Sequence, residues 1–490
     1  MTQPILVIDE GTSSTRAALY GDDLARGDFS QAAVPLSSPS PDIVEQDGDL
    51  IWARTLDTIK RACGGGIVPK AIGLTNQRET TLIWERATGR PVHAALVWQD
   101  RRGGALGEAM KRDGREALLT ARTGLLADPY FSAFKLHWLL EHVEGLRTAA
   151  QRGDLAFGTI DTWLIWNLTD GQSHVTDASN ASRTGLYNIL TGQWDDDLLA
   201  LFEVPRSLLP EVADSVGLFG HTSVLGGSIP ILGVLGDQQA ALMGQGCVAR
   251  GQAKITFGTG AFLMAQMGDQ AQASANRLLT TIAWQLQGKP AWAMEGAILN
   301  AGTAIQWLRD QLGLFVKAGD SQALAASVAD SGGVYMVPAF TGLGAPHWAP
   351  HAQGIITGLG RGTNKAHLVR AALEASAFQT ADLLRALTQD GLTLDVLRVD
   401  GGMTANNVFL QRLADITGLP VERPKDLEMT ARGAARACLL GLDCADLSDC
   451  QTGGDIDARF EPSIDSATRL SLQAGWNRAI AASKALGQAN

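Results

Sequence analysis

The sequence has few cysteines and lacks signals for secretion or membrane insertion. Its five cysteines are an odd number and none forms a C-x-x-C pair, so we expect a reducing compartment. The longest apolar runs, such as 229–235, are far shorter than the roughly 20 residues of a membrane-spanning helix. The first four residues, MTQP, carry no basic segment before an apolar one, so no signal peptide is predicted. These features predict a cytoplasmic protein without a membrane span.

An excess of basic residues is also missing. The 40 Lys and Arg are outnumbered by 51 Asp and Glu, which gives a formal net charge of −11. This balance excludes a general nucleic-acid binder, because a phosphate backbone is bound by clustered Lys and Arg. The 45% apolar and 19% charged residues are typical of a folded soluble enzyme. The length of 490 residues favours about two to four domains.

The motifs of the commonest nucleotide-binding folds are absent from the sequence. The Gly288-Lys289 dipeptide is followed by Pro290, so no G-x-x-x-x-G-K-[ST] loop exists. No G-x-G-x-x-G, H-E-x-x-H or G-x-S-x-G motif occurs either. If the protein handles nucleotides, it does so with another architecture.

The pattern of apolar residues predicts a layered α/β protein made of two similar halves. The first half has predicted strands at 4–9, 15–20, 70–75, 81–84 and 95–98, and predicted helices at 49–63 and 131–142. Strands at 253–257 and 261–266 around the turn Gly258-Thr259-Gly260 repeat the opening hairpin. Helices are predicted at 301–311, 366–387, 404–413 and 466–490, and a surface loop near 448–455. The repetition indicates an ancient duplication whose halves face each other.

Several polar turns are candidates for chemistry. The segment 9–16 combines Asp9 with small hydroxyl residues and Arg16; such a turn can cradle phosphate, and the acid can hold Mg²⁺. A plain Gly-Thr hairpin explains the segment equally well. The glycine turns at 258–260 and 401–402 are weak signals singly, but together they could bind a phosphorylated nucleoside across a cleft.

Two further acidic positions each leave two alternatives open. Asp237 follows the apolar strand 229–235, where acids serve either in catalysis or as a helix N-cap. The adjacent Arg78 and Glu79 lie in a polar cluster at 76–81. They could fix substrate hydroxyl groups, or they could form an ion pair on a surface loop.

The chain closely resembles the FGGY carbohydrate kinases. The resemblance runs from Asp9 to about residue 440 and rests on matching segments at 72–81, 98–102, 128–132, 157–166, 176–184, 236–241 and 334–348, and on two longer signatures at 130–142 and 354–374. It implies an actin-like ATPase architecture of two ribonuclease-H-like domains that face each other across an active-site cleft. The implied domains are 1–247, for polyol, phosphate and Mg²⁺, and 248–490, for the nucleotide.

The resemblance also implies glycerol as the substrate, because the polyol-binding positions keep the residue types of the glycerol-phosphorylating members: Arg78, Glu79, Trp98, Tyr130, Asp237, Gln238 and Phe262. The implied reaction is in-line transfer from ATP that yields sn-glycerol 3-phosphate and ADP, with Asp237 as general base and Asp9 at the metal. The implied nucleotide-binding residues are Thr12, Ser13, Arg16, Thr259, Gly302, Gln306, Gly402 and Asn406. A homo-oligomer, either a dimer or a tetramer, is implied as well.

One position departs from the family pattern. Glu10 stands where the family usually has Gln, which puts a second acid beside the expected polyphosphate. A tighter metal site and a solvated carboxylate are the two interpretations that we consider. The rival functions are a kinase for another small polyol or a ketose, and a nucleotide-driven chaperone or sensor on the same fold.

Overall fold

The computed structural model describes residues 3–64, 66–451 and 454–488. The first half contains fifteen strands: β1 (Ile5–Glu10), β2 (Ser14–Tyr20), β3 (Arg26–Ala33), β4 (Ser37–Ser40), β5 (Ile43–Gln46), β6 (Ala71–Asn76), β7 (Leu82–Glu85), β8 (Ala95–Leu96), β9 (Leu155–Gly158), β10 (Val175–Asp177), β11 (Tyr187–Asn188), β12 (Gln193–Trp194), β13 (Glu211–Ala213), β14 (Val216–Thr222) and β15 (Ile229–Gly236). Its helices are α1 (Gly48–Ala62), α2 (Gly104–Arg112), α3 (Glu116–Thr123), α4 (Ser132–His142), α5 (Leu146–Arg152), α6 (Ile160–Leu168), α7 (Ala178–Ala181), α8 (Asp196–Leu201) and α9 (Asp237–Gly244), with a 3₁₀ turn at Arg206–Leu208.

The second half has nine further strands: β16 (Ala253–Phe257), β17 (Ala261–Gly268), β18 (Leu279–Leu286), β19 (Lys289–Ile298), β20 (Tyr335–Val337), β21 (Ile355–Thr357), β22 (Leu397–Asp400), β23 (Val421–Pro424) and β24 (Ile456–Phe460). Its helices are α10 (Gly302–Asp310), α11 (Asp320–Ala326), α12 (Lys365–Gln389), α13 (Asn407–Thr417), α14 (Met429–Gly441) and α15 (Ser466–Gln488), with 3₁₀ turns at Gly402–Ala405 and Leu447–Gln451. No helix within the described ranges is long and apolar enough to cross a bilayer.

The two large sheets share one strand pattern. The first has the order β14-β15-β6-β1-β2-β3, in which β1 pairs antiparallel with β2 and parallel with β6. The second has the order β18-β19-β17-β16-β22-β23-β24, in which β16 pairs antiparallel with β17 and parallel with β22. In both, the first strand of the half pairs antiparallel with the next strand on one side and parallel with a later strand on the other. This arrangement confirms the predicted pair of facing α/β halves, and it agrees with the actin-like ATPase architecture.

Most predicted elements coincide with observed ones to within one to three residues, because their apolar positions face a core. The strand predicted at 253–257 is β16. The helix predicted at 404–413 begins later, because Asn406 caps α13 and a 3₁₀ turn precedes it. The loop predicted near 448–455 is a 3₁₀ turn up to Gln451, while residues 452 and 453, and likewise 489 and 490, lie outside the described residues.

Two helices meet where the halves join. Helix α9 follows the last parallel strand of the first sheet, and α14 follows β23 of the second sheet but packs on β1, β6 and β15 of the first. The helices cross at glycines: a Cβ atom on Gly244 would lie 1.9 Å from the Met429 carbonyl oxygen, and one on Gly433 would lie 1.8 Å from the Ala240 oxygen. The backbones therefore approach more closely than any side chain would permit.

Candidate active site

The hairpin between β1 and β2 forms one wall of the site. Its turn is closed by a hydrogen bond from the Gly11 N–H to the Ser14 carbonyl, 3.0 Å long. Thr12 is half-buried at the turn, and Ser13 is exposed. The turn therefore presents hydroxyl and backbone groups to an approaching ligand.

Asp9 lies at the end of β1, in register with Arg16 on β2. Burial raises the pKa of the Asp9 carboxyl to about 7; the charge of Arg16 opposes this shift, and the charges of Asp237 and Glu428 add to it. Arg16 forms an ion pair with Glu428, at 2.7 Å between Nη1 and Oε2. Carboxylates from both halves thus surround Asp9.

Glu10, the neighbouring acid, does not line the pocket that Asp9, Arg16 and Glu428 line. Successive strand residues point to opposite faces, and the Glu10 side chain is fully buried, where its Oε2 accepts a hydrogen bond of 3.0 Å from the Thr55 hydroxyl on α1. Burial raises the pKa of Glu10 to about 8. The interpretation as a solvated carboxylate is wrong, and the structure places the side chain with Thr55 on α1.

Asp237 begins α9 at the carboxyl end of β15. The N-cap of α9 is Gly236, so the capping role considered for Asp237 is wrong. Its Oδ1 accepts a hydrogen bond of 2.7 Å from the Gln238 N–H and lies 3.2 Å from Arg78 Nε. The side chain is 31% exposed, which leaves it accessible to a small molecule.

Arg78 and Glu79 are buried, so the surface ion pair considered from the sequence is wrong. Glu79 has a φ of 57°, a left-handed conformation that costs about 1–3 kcal/mol for such a residue. The strain is supported locally, since the Thr80 N–H donates to the Arg78 carbonyl at 2.6 Å and the Ser132 hydroxyl donates to the Glu79 carbonyl at 3.0 Å. Strain of this kind is concentrated at functional sites.

Three aromatic rings line the same region. The Trp98 ring lies edge-on to Tyr130 at 5.7 Å and to Phe262, from the second half, at 6.3 Å between centroids. The Trp98 indole N–H donates to the Thr12 hydroxyl at 2.9 Å. One of the predicted polyol-binding rings, that of Trp98, is therefore in direct contact with the predicted phosphate-binding turn.

The glycine turns of the second half converge as predicted from their combination. The Gly302 N–H donates to the Gly258 carbonyl at 3.1 Å, and a Cβ on Gly302 would lie 2.5 Å from that oxygen. Gly401 has a φ of 91°, and a Cβ there would lie 2.4 Å from the Phe257 carbonyl. Only glycine fits such approaches, and Thr259, next to Gly258, is exposed.

The remaining predicted nucleotide residues lie around these turns. Gly402 is exposed, and its neighbour Met403 would lie 3.7 Å from a Cβ on Gly302. Gln306 is exposed on α10. The Asn406 side chain accepts a hydrogen bond of 3.0 Å from the Phe409 N–H, so it caps α13.

Lys254, on β16, is a buried charged residue for which the sequence predicts no role. It is fully buried, and its ammonium donates to the Gln238 side-chain oxygen and to the Thr256 hydroxyl. Burial lowers the pKa of Lys254, against the charges of Asp400 and Asp237. Since ammonium has no acceptor atom, the Gln238 carbonyl must face it, which leaves the Gln238 amide N–H groups for a substrate. A lone lysine within an apolar strand was the available signal.

The sequence also predicts no role for Arg183 and Glu295, although Arg183 lies within the matching segment 176–184. Arg183 Nε donates to Glu79 Oε1 at 2.7 Å, and Glu295 accepts from both Arg78 and Arg183. Burial alone would raise the pKa of Glu295, but the two guanidinium groups outweigh it and hold this pKa at about 2. A glutamate within the apolar strand β19 was the signal that could have found it.

The acidic groups fit a divalent cation that arrives with a nucleotide. Among the described residues no group of three or more His, Cys, Asp or Glu side chains is arranged to hold a metal ion. Asp9 and Asp237 nevertheless interact electrostatically, and Mg²⁺ in nucleotide enzymes needs only one or two carboxylates beside the phosphates. This donor set suits MgATP better than a resident metal.

Comparison with known proteins identifies relatives over nearly the whole chain. Residues 4–244 match the N-terminal domain of the FGGY family of carbohydrate kinases, and residues 253–442 match its C-terminal domain. A glycerol kinase of Citrifermentans bemidjiense is 52% identical over 489 residues, which cover 97% of this chain and 98% of the relative. A glycerol kinase of Thermus brockianus is 49% identical over 490 residues, with 98% of each chain covered.

Solved structures give the same picture. The crystal structure of Plasmodium falciparum glycerol kinase with ADP superimposes with a TM-score of 0.92 at 34% identity, covering 98% of each chain. A ligand-bound xylulose kinase from Lactobacillus acidophilus superimposes with a TM-score of 0.89 at 21% identity, covering 99% of each chain. The second likeness concerns the fold alone.

Proposed function

This chain belongs to the FGGY family of carbohydrate kinases, and we propose that it transfers the γ-phosphoryl group of ATP to a terminal hydroxyl of glycerol. The products are sn-glycerol 3-phosphate and ADP. The observation that carries the choice of glycerol is the cluster of polar and aromatic side chains at Asp237, where Arg78 Nε lies 3.2 Å from Asp237 Oδ1 and the Trp98 ring is flanked by Tyr130 and Phe262.

The chemistry of glycerol matches this cluster of side chains. A triol offers three hydroxyl groups and little apolar surface, so it needs paired donors and acceptors with flat rings along its carbon edge. Glu79 supplies an acceptor, and the Gln238 amide supplies donors because Lys254 occupies its carbonyl. A site built in this way rejects analogues that lack a hydroxyl, since buried polar groups would be left unpaired.

The proposed mechanism uses Asp237 as general base. Its carboxylate accepts the proton of the terminal hydroxyl, and the oxygen attacks the γ-phosphorus in line, while ADP leaves on the opposite side. Positioning and charge neutralisation provide most of the catalysis in such transfers. The 31% exposure of Asp237 and its bonds to Arg78 and the Gln238 N–H support its placement toward the substrate.

The nucleotide would lie between the two hairpin turns. Thr12, Ser13, Arg16 and Thr259 would bind its phosphates, and Gly302, Gln306, Gly402 and Asn406 would line the nucleoside pocket. Asp9 would hold Mg²⁺, which when bound neutralises charge on the phosphoryl group. The close approaches at Gly258, Gly302 and Gly401 support a binding wall made of backbone.

The remaining proposals concern the whole chain. We propose a division into domains 1–247 and 248–490, a cytoplasmic location and a homo-oligomeric state. The five cysteines of the structure are all free, which supports a reducing compartment. Light scattering on the purified protein measures the oligomeric state directly.

The test is ADP release measured with and without glycerol, with the product identified by mass spectrometry. We expect ADP release to depend on glycerol and to yield one glycerol phosphate. Erythritol, dihydroxyacetone and xylulose serve as competing substrates. Faster turnover of one of these would make the protein a kinase for another polyol or ketose, and ATP turnover without phosphorylated product would favour a nucleotide-driven sensor.

A further inference from the structure

A buried ion network connects the two halves beside the candidate base. Glu295, on β19 of the second half, is fully buried. Its Oε2 lies 2.5 Å from Arg78 Nη1, and its Oε1 accepts bonds of 3.0 Å from Arg78 Nη2 and from Arg183 Nη2. Arg183 in turn donates from Nε to Glu79 Oε1. The two arginines and two glutamates balance in charge.

We propose that Glu295 is the positioning residue of the polyol site: it holds Arg78 and, through Arg183, Glu79 in the arrangement that receives the substrate. The assignment rests on the proposed function, since it concerns how that site recognises a polyol. It adds a residue from the second half that does not itself touch the substrate.

The donor inventory supports this role. A guanidinium has five N–H donors in a rigid plane. Both terminal nitrogens of Arg78 bond to Glu295, and Nε points to Asp237, so the plane of the group is fixed by contacts on two sides. One N–H of Nη2 stays available for a hydroxyl. Without Glu295, only Asp237 and the Gln239 side-chain oxygen, 3.4 Å from Nη1, would orient this plane.

Glu295 also positions the hydrogen-bond acceptor of the site, Glu79, through Arg183. Arg183 uses Nη2 for Glu295 and Nε for Glu79, and its guanidinium lies 5.2 Å from the Phe131 ring centroid and 5.7 Å from that of Tyr130. Glu79 therefore keeps Oε2 for a substrate hydroxyl. Loss of Glu295 would remove one of the two carboxylates that orient Arg183, and it would leave the two guanidinium groups with Glu79 and Asp237 as their acidic partners.

The second half contains a matched control for buried charge. Glu374 also bridges two arginines, because its Oε1 accepts bonds from Arg370 Nε at 2.8 Å and from Arg412 Nε at 2.9 Å. All three residues are buried on α12 and α13, and none is among the proposed polyol-binding residues. Glu374→Gln therefore removes the same charge from the same kind of bridge.

The experiment compares Glu295→Gln with Glu374→Gln in steady-state kinetics. We expect Glu295→Gln to lower kcat/KM for glycerol about 100-fold, mainly through a KM increase of at least about tenfold, while the KM for ATP changes by less than about twofold. Glu374→Gln should leave both KM values within about twofold of the wild type. A purely structural role would instead change both variants alike.

Two further arms make the result decisive. Glu295→Asp keeps the charge but is one methylene too short to bridge both arginines, so we expect the same selective rise in glycerol KM. This variant replaces Glu295→Gln in the comparison if Glu295→Gln does not fold. Equal glycerol KM values in the Glu295 variants and Glu374→Gln would overturn the inference. If the wild type uses another polyol, the proposed function fails, and the same comparison with that polyol still tests Glu295.

Discussion

Asp9 and Glu10 are adjacent in sequence but differ in environment. Asp9 is half-buried in the pocket that it lines with Arg16 and Glu428, and the charges of Asp237 and Glu428 raise its pKa further. Glu10 is buried against Thr55 on α1. Strand alternation separates the two side chains onto opposite faces of the sheet. The burial of this acid against Thr55 therefore favours a role in stability over a role in metal binding.

Glu10→Gln should stabilise the protein at high pH. Because the folded pKa of about 8 exceeds the ordinary glutamate pKa of 4.5, the stability that Glu10 contributes is complete below pH 4.5 and is lost as the pH rises toward 8, at up to about 1.4 kcal/mol per unit. Urea unfolding at pH 5 and pH 8 measures this: the advantage of the variant should grow with pH. An advantage that does not vary with pH, or a changed Mg²⁺ dependence of activity, would contradict the prediction.

The raised pKa of Asp9 predicts that kcat/KM for MgATP falls on the acid side of its pH profile. Its pKa of about 7 in the free protein means that the carboxylate needed for Mg²⁺ is lost as the pH falls. We therefore expect kcat/KM for MgATP to decrease about tenfold per unit below pH 7. A profile that is flat down to pH 5.5 at saturating glycerol would refute the assignment.

Asp237→Asn should abolish turnover while it preserves glycerol binding. General base catalysis contributes about 10²–10⁴-fold, so we expect kcat to fall by that factor. Calorimetric titration with glycerol should give a Kd within a few-fold of the wild type, because the amide retains the shape of the carboxylate. A variant with near-normal kcat would exclude Asp237 as the base.

At the scale of elements, the crossing of α9 and α14 brings two helix backbones into close contact. Gly244 and Gly433 remove the side chains that would separate the two backbones. Because α9 begins with Asp237, the crossing also sets the position of the candidate base. Packing of this kind requires glycine at both positions.

Gly433→Ala should therefore destabilise the protein by about 1–3 kcal/mol and reduce kcat by displacing α9. Gly104→Ala is the control, since Gly104 also lies in a helix but its added Cβ would meet its nearest atom only at 4.0 Å. Thermal unfolding and steady-state rates of both variants decide the matter. Equal stability of the two variants would show that α14 shifts without strain.

At the scale of the whole molecule, ion pairs join the two halves at both ends of the site. Arg78 and Glu295 do so beside the proposed polyol-binding residues, in a buried position. Arg16 and Glu428 do so beside the phosphate turn, with side chains 39% and 36% exposed. The buried pair holds the polyol site in place, whereas the exposed pair can exchange its partner for a ligand.

Glu428→Gln should strengthen nucleotide binding modestly. Arg16 is paired with Glu428, so a phosphate group must compete for it. Exposed ion pairs contribute only about 0–1 kcal/mol, and we therefore expect the Kd for ADP to fall by about two- to fivefold, with a smaller effect at high salt. Weaker ADP binding by the variant would mean that Glu428 supports the nucleotide instead of competing with it.

The sequence by itself determined the strands, the helices, the duplicated hairpins and the family, because apolar periodicity and turn chemistry act over a few residues. The partners of the buried charges were decided only by the tertiary structure. Arg78 and Glu295 lie 217 positions apart, and Glu10 depends on Thr55 of a packed helix. Desolvation and Coulomb energies depend on distance in space, and that distance exists only once the chain has folded.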